Sequence, residues 1–148
     1  MATSKNPPRK KGKRHNGKRT DYRSNLERRV ATQLDAAGIP YTYEKDTLPY
    51  IRNGKLSRYT PDFKVCGGVL IEAKGYFVGQ HRDRHKMILV QAQHPERDIR
   101  FVFEREDMPI FKDSTFTYAD WADLNGFLWS GGGQIPEDWI TEFKSKLQ

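Results

Sequence analysis

The turn Cys66-Gly67-Gly68 separates two short apolar runs, Phe63-Lys64-Val65 and Val69-Leu70-Ile71, and predicts a β-hairpin near the middle of the chain. Pro61 suits the entry to the first strand. Side chains alternate along a strand, so Glu72 and Lys74 share one face and Ala73 points away. Pairing the two strands brings Asp62 alongside Glu72. At about 4 Å and an effective dielectric near 20, two carboxylates repel by roughly 4 kcal/mol. Something positive must offset that. A hard divalent cation bridging two oxygens does so, and a lysine beside it can hold or activate a water. The plainer alternative is a salt-bridged strand pair in a DNA-binding protein without catalysis.

The flanking sequence supplies more elements. Residues 24–37 read as a helix: Ser24 and Glu27 have capping-box spacing, Leu26, Val30, Ala31, Leu34 and Ala37 fall on one face, and Gly38 stops it. Residues 41–44 and 48–51 read as strand segments broken at Lys45-Asp46. Asn53-Gly54 is a hairpin signal, and residues 55–60 return toward Pro61-Asp62 as part of a meander ending at Lys74. After a loop over 75–79, residues 80–93 read as a helix with Met87, Ile88, Leu89, Val90 and Ala92 buried. His94-Pro95 ends it. Its first turns hold His81, Arg82, Arg84, His85 and Lys86, and helix N-termini favour anions. Arg82, Arg84, His85 and Lys86 are therefore candidate phosphate contacts. Residues 99–103 form the next strand, and strand, helix, strand implies a parallel pair. Beyond a loop over 104–116, residues 117–125 form a short helix packed down by Trp121 and Leu124. Residues 130–133 read as flexible, and Pro136 starts a last helix carrying Trp139, Ile140 and Phe143.

Charge is unevenly spread. Residues 1–23 hold nine of the chain's 26 Lys and Arg against a single acid, Asp21, while the remainder is close to neutral. This basic arm lacks the apolar face of a membrane-binding helix and is expected to stay disordered until it meets DNA phosphates. Lys10, Lys11, Lys13, Arg14, Lys18 and Arg19 are its candidate DNA contacts, and residues 24–148 are left as one domain. No run is apolar enough to span a membrane, no signal-peptide pattern is present, and the lone Cys66 suits a reducing cytosol, so a cytoplasmic protein is expected.

Ser24-Asn25-Leu26-Glu27, Tyr59-Thr60-Pro61-Asp62-Phe63, Ile71-Glu72-Ala73-Lys74-Gly75, His94-Pro95-Glu96 and Ile135-Pro136-Glu137-Asp138-Trp139-Ile140 occur in an order and spacing that resembles the phage endonuclease I family. Those enzymes resolve Holliday junctions in short-tailed phages and lie within the metal-dependent nuclease superfamily whose signature is Pro-Asp followed by Glu-x-Lys. The resemblance implies an α/β fold with a restriction-endonuclease-like core: helix, three-strand meander, helix, parallel strand, then C-terminal helices. It also implies a homodimer that exchanges elements between chains and acts in the host cytoplasm. Two Mg²⁺ ions per active site, with Mn²⁺ as a substitute, would be held by Asp62 as bridge, by Glu72 and the Ala73 carbonyl, and by Glu27. Lys74 would orient the water. The implied reaction is hydrolysis of branched DNA, four-way junctions above all, leaving 5′-phosphate and 3′-hydroxyl ends. Restriction, mismatch-nicking and transposon end-cutting enzymes share such a core and are the alternatives. Glu27 has two demands on it, since the capping box alone already explains its position.

Overall fold

The computed structural model describes residues 22–77 and 81–147, so the expectations for Lys10, Lys11, Lys13, Arg14, Lys18 and Arg19 lie outside the described residues. Helix α1 (Asn25–Ala36) is followed by strands β1 (Tyr41–Tyr43), β2 (Leu48–Arg52), β3 (Lys55–Tyr59), β4 (Phe63–Val65) and β5 (Leu70–Lys74). Helix α2 (His81–Gln93), β6 (Ile99–Phe103), α3 (Tyr118–Leu124), β7 (Leu128–Ser130) and α4 (Glu137–Ser145) complete the chain. Five strands form one mixed sheet in the order β1-β4-β5-β6-β7, and β2 and β3 pair separately.

The hairpin expected around Gly67-Gly68 forms, with Phe63 opposite Ile71. Both glycines sit in the left-handed region, at φ 83° and 86°, where a Cβ would be strained. The parallel β5–β6 pair also forms, with Glu72 opposite Phe101. The meander needs correction. β1 pairs with β4, skipping two strands, while β2 and β3 leave the sheet as a hairpin of their own. The antiparallel three-strand set is therefore β1, β4 and β5. A further strand, β7, forms where the sequence reading assigns nothing to residues 127–129 and reads Ser130 as flexible, and Gly133 beyond it donates its N–H to Phe103 O.

Sheet alternation sorts the core into two layers. Ile71 and Val102 face α1 and α4, joining Val30, Leu34, Phe63, Trp139 and Phe143. Leu70, Phe101 and Phe103 face the other way, toward Met87 and Val90 of α2, Trp121 of α3 and Leu48 and Tyr50 of the hairpin. Each fully buried large side chain contributes roughly 1.5–3 kcal/mol. Ile88 and Leu124 do not join this core. They are 37% and 75% exposed because the sheet takes only a narrow stripe of α2 and α3. The C-terminal helix α4 is part of the core, since its Trp139, Ile140 and Phe143 belong to the first layer.

Arg100, 3% exposed on β6, ties that layer together. Its guanidinium forks onto Asp98 at 3.0 and 2.8 Å and onto Glu142 of α4 at 2.7 and 2.8 Å. It also lies over the rings of Trp139 and Phe143. Arg100→Met should keep the stem and lose the fork. Both carboxylates are partly exposed, so the expected loss is discounted to about 2 kcal/mol. Arg100 holds the Glu142 carboxyl below its usual range. That contribution is present above the ordinary carboxylate pKa and is lost as pH falls through the depressed folded value. The gap in Tm between the wild type and Arg100→Met should therefore narrow in acid, as thermal denaturation at neutral pH and near pH 3 would show.

Candidate active site

Strand β5 delivers Glu72 and Lys74 to the hairpin side of the sheet, as alternation requires. Glu72 is only 5% exposed. Its two oxygens are used differently. Oε1 accepts from the Tyr59 hydroxyl at 2.5 Å and from the Asp62 backbone N–H at 3.3 Å. Oε2 faces Lys74 Nζ at 3.9 Å. Lys74 Nζ also lies 4.0 Å from Asp83 on α2. Asp62 sits just before β4, where its Oδ2 accepts the Ala73 backbone N–H at 2.8 Å. Burial and then the nearby Glu72 charge push the Asp62 carboxyl well above its usual range. Burial also raises Glu72, with the Lys74 charge the main opposing influence.

Helix α1 brings Glu27 to the same region. Ser24 Oγ accepts the Glu27 N–H at 3.1 Å and donates to Glu27 Oε2 at 2.8 Å, while Tyr43 donates to Oε1 at 3.2 Å. The capping arrangement is thus made through the serine hydroxyl, and Glu27 is held buried at 6% exposure. One oxygen each from Glu27, Glu44 and Asp62 lie within 4.8 Å of one another. Asp62 is the vertex where this acidic group meets the Glu72–Lys74 pair. All of these residues come from one chain.

Glu44 carries no role in the sequence reading, which treats it as a strand end. Its place follows from pairing: Tyr43 is opposite Phe63, so the residue after β1 comes beside the residue before β4. The Glu44 backbone N–H donates to Asp62 O at 2.9 Å. It is held at φ 48°, which few residues other than glycine adopt, and its carboxylate pairs with Arg23 at 2.7 Å. Only knowledge that β1 skips to β4 would have found it.

The cationic candidates on α2 divide. Arg82 and His85 are exposed. Lys86 is partly covered, lying over the Tyr59 ring and 3.9 Å from Asp83. Arg84 is a correction: it is 4% exposed and turned inward. Its guanidinium donates to Phe77 O at 2.5 Å, contacts His81 Nδ1 at 2.8 Å and lies over the Phe77 and Phe111 rings. It anchors the first turn of α2 and does not present its charge to a phosphate.

The donor set is carboxylate oxygen throughout, crowded and desolvated, which fits a hard divalent cation such as Mg²⁺ or Mn²⁺ and not a soft one. Carboxylates converging beside a lysine at the end of a central strand in an α/β sheet define a candidate phosphodiester-cleaving centre. The Phage endonuclease I family matches residues 9–148, and the chain belongs to that family. It is 36% identical over 126 residues to Endonuclease I of Escherichia phage T7, a match covering 85% of this chain and 83% of that protein. It is 38% identical over 126 residues to Endodeoxyribonuclease 1 of Enterobacteria phage T3, covering 85% and 81% respectively. The chain is accordingly a nuclease. Among the described residues, no helix is long and apolar enough to cross a membrane.

Proposed function

We propose that the chain is a structure-selective endodeoxyribonuclease that hydrolyses phosphodiester bonds in branched DNA, four-way junctions above all, with Mg²⁺ or Mn²⁺ as cofactor. The observation carrying this reading is the position of Asp62 between Glu72–Lys74 on one side and Glu27–Glu44 on the other. Asp62, Glu72 and the Ala73 carbonyl would hold one cation, and Glu27 would join Asp62 at a second. Bound there, divalent cations supply charge neutralisation and Lewis acidity to the phosphate. Lys74 orients the attacking water and balances charge building on the phosphate. Arg82, His85 and Lys86 would contact the phosphates of the DNA backbone. Selection rests on the shape of the branched substrate and on its phosphates, with no base-reading element required.

The same reading includes a restriction-endonuclease-like core, a homodimer with exchanged elements and action in the host cytoplasm. Cleavage of a four-way junction and of a linear duplex with the same arms, with and without Mg²⁺, tests the function. Metal-dependent cutting near the branch point, with the duplex spared, is expected. Sequence-specific cutting of the duplex would instead assign the chain to restriction-type chemistry.

The basic arm has its own expected result. Tyr22 packs its ring 4.8 Å from Tyr43, and Arg23 is paired with Glu44, so a truncation should keep both and remove residues 1–21. If about four of the cations lost contact phosphate, the slope of log affinity against log salt becomes shallower by roughly 3 to 4 units. Junction binding measured across a salt series decides it, and an unchanged slope would make the arm a mere tail.

A further inference from the structure

We infer that Tyr59 is a positioning residue of the candidate active site: its hydroxyl fixes Glu72 so that one carboxylate oxygen is committed to the protein and the other is left to face a cation and Lys74. This rests on the metal-dependent reading above. The phenol comes from β3, the strand that leaves the main sheet, and reaches Glu72 on β5. Tyr59 is 2% exposed and Glu72 is 5% exposed, so neither group can exchange its partner for water at low cost. A phenol meeting a carboxylate is the donor, because an ionised carboxylate can only accept, and the contact is Tyr59 Oη to Glu72 Oε1.

The geometry separates the two oxygens of Glu72. Oε1 takes two donors, the Tyr59 hydroxyl and the Asp62 N–H, and Oε2 takes neither. Rotation of the carboxylate would break both bonds together. The ring of Tyr59 is itself held, with Lys86 Nζ 5.6 Å from its centroid, and Lys86 and Lys74 both approach Asp83. The hydroxyl thus belongs to a closed circuit of contacts running Glu72, Tyr59, Lys86, Asp83, Lys74 and back to Glu72. Outer partners that orient a ligating carboxylate typically change metal affinity or activity by about 10- to 100-fold when removed.

Mn²⁺ binding without DNA, measured by calorimetry or electron paramagnetic resonance, gives a readout independent of cleavage. Tyr59→Phe keeps the ring and removes the donor. It should bind Mn²⁺ about 10- to 100-fold more weakly and lose kcat on junctions, while junction affinity without metal is retained. Installing 4-aminophenylalanine at position 59 restores a donor and should recover most of the Mn²⁺ affinity. Should Phe destabilise the fold, 4-fluorophenylalanine provides a ring of closer size without a donor. Wild-type Mn²⁺ affinity in the variants lacking a donor overturns the role of Tyr59 alone. Failure of the amino variant to recover affinity overturns it too, because then packing and not the hydrogen bond is responsible. If the wild type itself binds no Mn²⁺ yet cleaves DNA, the metal-dependent reading falls and this inference with it.

Discussion

Asp62→Asn, Glu72→Gln and Lys74→Ala should each abolish junction cleavage while junction binding persists. For Lys74→Ala, loss of a charge-stabilising donor alone accounts for about 10²- to 10³-fold in rate. The two carboxylate changes should cost more, because each removes an oxygen from the proposed cation site, and Asp62 would serve both of its halves. Binding is expected to survive because phosphate affinity comes mainly from cations elsewhere. Gel shift on the same preparations used for cleavage tests this. For the two carboxylate variants, affinity should hold or rise, since a negative charge beside the phosphates is gone. Wild-type cutting in any one variant would remove that residue from the mechanism.

The same substitutions carry a stability signature. Asp62 and Glu72 are carboxyls whose folded pKa is raised, chiefly by burial. For an acid, that sign means that ionisation opposes folding. The metal-free wild type should become more stable as pH falls from neutral through the raised folded values, with no further gain from these groups below the ordinary carboxylate pKa. Asp62→Asn should abolish part of that dependence and raise the metal-free Tm at neutral pH. Thermal denaturation with a chelator present measures both effects. A Tm that instead drops on Asp62→Asn would mean that the hydrogen bond to Ala73 outweighs the charge repulsion.

What could be read from sequence was local. The Gly67-Gly68 turn fixed the register of β4 on β5, and that register alone brings Asp62 to Glu72. The cap of α1 is visible because Ser24 stands three residues before Glu27. The parts that escaped depend on contacts between distant segments. Nothing in the run from Tyr41 to Glu44 announces that it pairs with residues 63–65 and not with the nearer strand, so Glu44 was missed. Tyr59 stands in the Tyr59-Thr60-Pro61-Asp62-Phe63 run, but nothing local announces its bond to Glu72, because that partner lies in another sheet. Arg84 looked like its exposed neighbours Arg82 and His85, and only the aromatic pocket of Phe77 and Phe111 distinguishes it. Charge in a sequence locates a basic face but not which member of it turns inward.

A dimer containing one Glu27→Ala chain and one Asp62→Asn chain should nick one strand of a junction at a near-normal rate and make no paired cuts. Resolving a junction requires two cuts at a fixed relation, which a two-fold dimer supplies most simply. Helix α1 and β1 form one unit that docks through the β1–β4 pairing and the layer containing Val30, Leu34 and Phe63. It carries Glu27 and leads directly to Glu44. Asp62, Glu72 and Lys74 all lie beyond the connection at residues 45–47. In the single chain this connection is closed, with Asp46 accepting from Thr42 at 2.7 Å and lying 3.4 Å from Lys64. Opening it would let the α1–β1 unit of one chain dock on β4 of the other with the same contacts, so the exchange costs little beyond the connection itself. In an exchanged mixed dimer, one site receives both lesions and the other receives neither, which leaves one site fully active. With self-contained sites, each carries one lesion and both are dead. Isolating the mixed dimer with two different affinity tags and assaying nicking against linear-product formation separates the two. An inactive mixed dimer, with dimerisation verified by light scattering, would rule out the exchange and leave each chain with the site it closes by itself.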